Sequence, residues 1–112
     1  GLPKQDLLRK PEEFRQVYRL GQRLHGKGYT LVYMPNGSDA NRLGISIHRK
    51  LRGAVRRNRI KRMIREVFRL HRDIFPGSSD IVFSVRPDFP FTSSESIRAA
   101  IAAGFARKKG PA

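Results

Sequence analysis

The sequence predicts a small α+β domain, on three observations. Apolar residues alternate over segments 24–34 and 42–48, they recur at helical spacing over 11–20, 54–72 and 92–105, and clusters of Pro, Gly, Asn and Ser separate the segments. With a further β-rich run at 81–85, the order is α-β-β-α-β-α, a single domain over residues 1–112 around a mostly antiparallel sheet. A chain of 112 residues buries enough surface to fold without disulfides, and this one has no Cys.

Residues 1–10 are polar and basic with a few Leu, as expected of a flexible arm on the domain surface. Gly1 stands where an initiator Met is usual, as expected of a processed or added first residue. Pro11-Glu12-Glu13 opens the first helix, since Pro suits the first helical position and the acids face the positive end of the dipole. Gly21 stops it, and Phe14, Val17 and Tyr18 share one face.

Segment 24–34 reads as one strand, with Tyr29, Leu31 and Tyr33 alternating against Thr30, Val32 and Met34. Turn formers follow at 35–39. The next strand sets Leu43, Ile45 and Ile47 against Gly44, Ser46 and His48, and the two strands are expected to pair as an antiparallel hairpin.

The helix at 54–72 groups Ile60, Ile64, Val67 and His71, flanked by Met63, Phe68 and Leu70. Asn58, Arg62, Arg65 and Arg69 fall opposite, and Lys61 and Arg72 widen that polar side. A loop at 76–79 precedes the strand 81–85, which Pro87 and Pro90 end. Thr92 and Glu95 have capping-box spacing for a last helix, on which Ile97, Ile101 and Phe105 recur every four residues; 107–112 is a basic tail.

The charge points to a polyanion. With 24 Lys and Arg against 9 Asp and Glu, the net charge is +15, and self-repulsion of this size is relieved by phosphate-rich RNA or DNA or by an anionic membrane surface. No apolar run approaches a membrane span and no segment has signal-peptide order, so a cytoplasmic protein is expected. The run Arg56-Arg57-Asn58-Arg59-Ile60-Lys61-Arg62-Met63-Ile64-Arg65-Glu66 keeps an apolar stripe within its charge, as a folded RNA-binding helix does and a disordered tail does not. A solvated charged face is the plainer alternative.

Catalysis has less support. Glu12 and Glu13 are explained by the dipole, and Asp39, Asp73, Asp80 and Asp88 lie in or beside loops, so no carboxylate cluster for a two-metal nuclease is expected. His25, His48 and His71 lack metal-ligand spacing, and the ten Gly form no phosphate-binding loop. What remains is cation geometry. Phe14 and Tyr18, four apart, serve either as core or as platforms for unpaired bases.

The stretches Arg42-Leu43-Gly44-Ile45-Ser46-Ile47-His48-Arg49-Lys50 and Gly53-Ala54-Val55-Arg56-Arg57-Asn58-Arg59-Ile60-Lys61-Arg62-Met63-Ile64-Arg65-Glu66 resemble the signature of the protein subunit of bacterial ribonuclease P. Phe14-Arg15-Gln16-Val17-Tyr18 with Gly21 resembles that family's first helix, and the element order fits nearly the whole chain. The resemblance implies a left-handed β-α-β crossover, a rarity among parallel connections. It implies an accessory role: a catalytic RNA uses Mg²⁺, held mainly by that RNA, to hydrolyse one phosphodiester and remove the 5′ leader of precursor transfer RNA. The partners implied are ribonuclease P RNA and precursor transfer RNA, with no membrane and no obligate protein partner.

Carried over by resemblance, the RNA-binding residues are Arg49, Lys50, Arg56, Arg57, Asn58, Arg59, Lys61, Arg62 and Arg65. The leader cleft is Phe14, Tyr18, Val32, Ser46 and His48; no protein residue is implied to be catalytic or to bind metal. The chain departs from the family in having Val32 where some members have an aromatic, and His48-Arg49 in place of a more usual Ser-Lys pair. Removing Arg57, Lys61 or Arg65 is expected to weaken RNA binding without affecting the fold. A structural RNA-binding protein of the ribosome is the alternative class, sharing charge and size without promoting turnover.

Overall fold

The computed structural model describes residues 1–110. Its elements are α1 (Pro11–Leu20), β1 (Gln22–Gly26), β2 (Tyr29–Pro35), β3 (Arg42–Ile47), α2 (Ala54–Leu70), β4 (Ser79–Val85) and α3 (Ser94–Lys109), with short 3₁₀ turns at Lys4–Asp6 and Arg72–Ile74. The four strands form one mixed sheet in the order β1-β2-β4-β3.

Two expectations about the strands are corrected. The segment 24–34 is a hairpin of two strands rather than one strand, because Lys27 and Gly28 turn the chain between Gly26 and Tyr29, with Gly28 at φ +76°. The turn at 36–41 does not join neighbours. β4 lies between β2 and β3, antiparallel to the first and parallel to the second. The polar loop spans the start of β4: the Asn36 N–H donates to Ser78 O at 2.9 Å, and its side-chain amide donates to Asp80 Oδ1 at 3.1 Å. Local turn chemistry marks a reversal of the chain but carries no information about a strand inserted 38 residues later, from Arg42 to its partner Asp80. The unit β3-α2-β4, with its two strands parallel and adjacent, is the crossover whose hand the resemblance concerns.

The sheet is apolar on both faces. Leu31, Leu43, Ile81 and Phe83, each 0% exposed, point with Tyr29 to the side covered by α2 and α3, where Ile60, Ile64, Phe68, Ile97 and Ile101 close the main core. On the other side Val32 and Val82 pack beneath α1 with Val17 and Leu8, and Phe14, Tyr18 and Met34 border this smaller cluster. Each fully buried side chain of this kind contributes about 1.5–3 kcal/mol.

Residues 1–10 are not a flexible arm. Leu8 is 5% exposed in the smaller cluster, its N–H donates to Leu43 O at 2.9 Å, and Leu7 bridges Leu43 in parallel. Asp6 accepts from Arg72 at 2.7 Å, which pins the segment to the 3₁₀ turn that follows α2. The basic tail also begins later than expected. Residues 107–109 belong to α3, with Lys108 Nζ donating to Arg23 O at 2.9 Å; positions 111–112 lie outside the described residues. The last helix is capped by Ser93, whose Oγ accepts the Ser96 N–H at 3.1 Å, one residue beyond Thr92. Glu95 pairs instead with Arg98 at 2.7 Å. In α2 the buried stripe is Ile60, Ile64, Val67 and Phe68, while Leu70 is 55% exposed and His71 caps the helix end.

Candidate nucleic-acid interface

Strand register arranges the α1 side of the sheet in transverse rows. Arg23, Val32, Val82 and Gly44 form one row, which α1 covers. Close packing there depends on Gly44: a Cβ at that position would meet Phe14 Cζ at 2.6 Å and Leu8 Cβ at 3.1 Å, so the absent side chain is what lets α1 lie on the sheet. Phe14 and Tyr18 are both half-buried, with part of each ring in the cluster and part in solvent. Core and surface roles are thus compatible for both rings.

The adjacent row is His25, Thr30, Ser84 and Ser46, one residue from each strand. None of the four is buried. Thr30 Oγ1 accepts from Arg86 Nη1 at 2.7 Å and lies 3.4 Å from His25 Nδ1. This row is a polar trough beside the apolar strip under α1, a surface that offers hydroxyls, an imidazole and a guanidinium next to two aromatic rings. Such a surface suits a single strand whose bases stack while its sugars and phosphates are hydrogen-bonded.

Among the residues expected in the cleft, the structure brings Phe14, Tyr18 and Ser46 to this face. His48 follows β3 at its edge, exposed, with its N–H donating to Val85 O at 2.9 Å and its Nδ1 accepting the Lys50 N–H at 3.1 Å. Val32 is placed differently. At 1% exposure its side chain offers no surface to a ligand and forms the floor on which α1 rests. Sequence reasoning missed Thr30, Ser84, Arg86 and His25, because the register that aligns them with Ser46 depends on β4 entering between β2 and β3; a small polar residue within an apolar strand was the available signal.

The second surface is the start of α2. Arg49, Lys50, Arg56, Asn58, Arg59, Arg62 and Arg65 are exposed, and Arg57 and Lys61 are half-buried. Among the described residues six ion pairs bind cations to carboxylates, and none uses a cation between 49 and 65. Six of the nine acids are committed elsewhere. Asp80 and Glu13 hold Arg42 at 2.7 and 3.0 Å, which keeps the Arg42 guanidinium charged, chiefly through its hydrogen bonds to Asp80. Glu13 is itself held below the usual carboxylate range, first by the backbone N–H of Lys10 and further by Arg9 N–H and Arg42.

The first turn of α2 contains no acid, and Gly53, at φ 95°, provides no side-chain cap. Cations near a helix N-terminus oppose its dipole, each at a cost of about 0.3–1 kcal/mol, and an external anion offsets that cost. Arg57 differs from its neighbours. Its Nη1 donates to His48 O at 3.1 Å and Leu51 O at 2.9 Å, which fixes the loop joining β3 to α2. The guanidinium therefore ties the strand that carries Ser46 to the helix that carries the free cations.

Among the described residues no three His, Asp or Glu side chains gather to hold a metal ion. No helix among them is long and apolar enough to cross a membrane.

Comparisons with known proteins place the chain in a family and agree with its fold. The family model described as Ribonuclease P matches residues 2–109. The ribonuclease P protein component of Desulfotalea psychrophila is 63% identical over 100 residues, which are 89% of this chain and 83% of that protein. That of Syntrophus aciditrophicus is 46% identical over 81 residues, 72% of this chain and 68% of the other. Among solved structures, the Staphylococcus aureus RNase P protein superposes with a TM-score of 0.79 at 28% identity, covering 93% of this chain and 95% of that one. The Thermotoga maritima RNase P protein gives 0.77 at 31% identity, covering 89% and 94%. Sequence, sheet order and helix placement converge, and the chain belongs to the ribonuclease P protein family.

Proposed function

We propose that the chain is the protein subunit of a ribonuclease P holoenzyme. It binds the catalytic RNA through Arg49, Lys50 and the cations of α2, and it holds the single-stranded 5′ leader of precursor transfer RNA along the trough between α1 and the sheet. The observation that carries this reading is the Arg57 junction, which joins a face of uncommitted cations to an aromatic and hydroxyl-lined trough. Two RNAs repel one another; a cationic protein touching both lowers the Mg²⁺ needed to bring them together and favours leader-bearing precursor over mature product. The Mg²⁺ and the hydrolytic chemistry belong to the RNA, and the protein's residues position strands. The cytoplasm is the expected compartment.

Reconstitution tests this. The protein mixed with a bacterial ribonuclease P RNA and a 5′-extended transfer RNA should raise cleavage at low Mg²⁺, with the stimulation fading as Mg²⁺ rises. Site-specific cleavage by RNA-free protein that survives repurification would overturn the division of labour.

A further inference from the structure

Between the first turns of α2 and the segment entering α3 lies a cavity of about 480 Å³, within the range of pockets that enclose small ligands, ~300–1,000 Å³. It sits on the α2 side of the molecule, so the sheet separates it from the trough beside α1. Its wall is pre-formed. Phe89 is 3% exposed and its N–H closes a turn onto Arg86 O at 3.1 Å. The same segment lies so close to the β1-β2 turn that a Cβ at Gly28 would come within 2.6 Å of Phe89 Cα. Pro87 and Pro90 restrict the backbone on either side.

Phe91 stands half-buried on this support, edge-on to Phe89 with ring centres 5.3 Å apart and to Tyr29 at 6.0 Å. Across the cavity, Arg56 and Arg59 are exposed, without a carboxylate within 4.0 Å among the described residues, and Met63 contributes apolar surface. Arg59 Nη2 reaches Thr92 O at 3.4 Å, long enough to exchange for a better partner. No acidic residue lines the cavity. An aromatic ring and a thioether accept a flat base, and two guanidinia without carboxylate partners accept a phosphate or stack on the base.

We propose that this cavity holds one unpaired nucleotide of an RNA strand, with its base between Phe91 and Arg59 and its phosphate on Arg56. The inference rests on the reading of α2 as an RNA-contacting helix. It assigns the protein an RNA contact behind the sheet as well as the trough in front.

The test is an NMR titration of the full chain with adenosine 5′-monophosphate and, separately, with inorganic phosphate. The nucleotide should shift the amide signals of Phe91 and Thr92 saturably, while phosphate moves the α2 signals and leaves Phe91 in place. Phe91→Leu keeps apolar volume without an aromatic face and should weaken nucleotide binding about tenfold, whereas Phe91→Tyr should retain it. Signals at Phe91 and Thr92 that stay still up to millimolar nucleotide overturn the proposal. So do shifts reproduced by phosphate alone, which mean an anion patch only, and so does Phe91→Leu binding as tightly as the parent. If the nucleotide shifts appear although the parent chain fails to stimulate the catalytic RNA, the pocket stands and only the processing role falls.

Discussion

The ring of Phe14 occupies the space that a side chain on residue 44 would need, with 2.6 Å separating Phe14 Cζ from the Cβ position of Gly44. The α1 helix and the β3 strand are therefore fitted at a point where neither backbone can shift without uncovering the small core of Leu8, Val17, Val32 and Val82. Gly44→Ala should lift Phe14 and cost about 1–3 kcal/mol of stability, the usual range for overpacking. Denaturant titration checks this, and a variant as stable as the parent would show that the helix has slack.

Tyr18→Ala separates the stacking role from the packing role. Affinity for precursor with several leader nucleotides should fall by about 1–3 kcal/mol, the range for one base-aromatic stack, with mature transfer RNA binding unchanged after correction for folded fraction. Ser84→Leu, which fills the trough floor from the neighbouring strand, should show the same leader-specific loss. Equal losses on precursor and mature RNA by a folded variant would move the leader elsewhere.

The cations of α2 fall into two groups. Removing Arg62 and Arg65, exposed and unpaired, should leave thermal stability unchanged and flatten the slope of log affinity against log salt by roughly one per contact, from about −4 to −5 if about six phosphates are neutralised. Arg57→Ala should in addition destabilise the fold by about 1–2 kcal/mol, because two backbone carbonyls lose a charged donor. Arg57 is thus half-buried and bonded to two carbonyls, not part of an exposed polar face as the sequence implies. Melting curves and salt-dependent binding on the same variants decide both points.

Glu13 gives the fold an acid limit. Its folded-state pKa lies below the ordinary value of 4.5, first through the Lys10 N–H and then Arg9 N–H and Arg42, so its contribution is complete above 4.5 and is lost as pH falls through the folded value. Thermal stability should decline below about pH 4.5, and Glu13→Gln should decline less steeply over the same window. An unchanged pH profile in the variant would show that other carboxylates dominate.

Local patterns made much of the fold legible. Pro11 and Gly21 bracketed α1, and the spacing of Ile60, Ile64 and Val67 located α2, because each depends on residues within a few turns of one another. The β2-β3 pairing that the turn suggests does not form, because strand adjacency is a long-range property, settled by β4 packing on both faces. The trough was half visible for the same reason. Phe14, Tyr18 and Ser46 follow from motif resemblance, whereas Thr30 and Ser84 become neighbours of Ser46 only through register. Leu8 lies in a segment too short and charged for periodicity to reveal a buried residue.

The place of β4 also sets an order of assembly. It is the last strand to be synthesised and it joins the β1-β2 hairpin to β3, so until residue 85 exists β2 and β3 each have an unsatisfied edge. The hairpin can close early, because Gly26 and Tyr29 are near in sequence, but Leu31 must wait for Phe83. Pairings of this separation are slow to form, and the open edges before them are exposed to other chains. The α2 segment, 54–70, leaves the ribosome ahead of β4, and the nascent protein therefore carries its densest positive charge before the sheet that orients it can close.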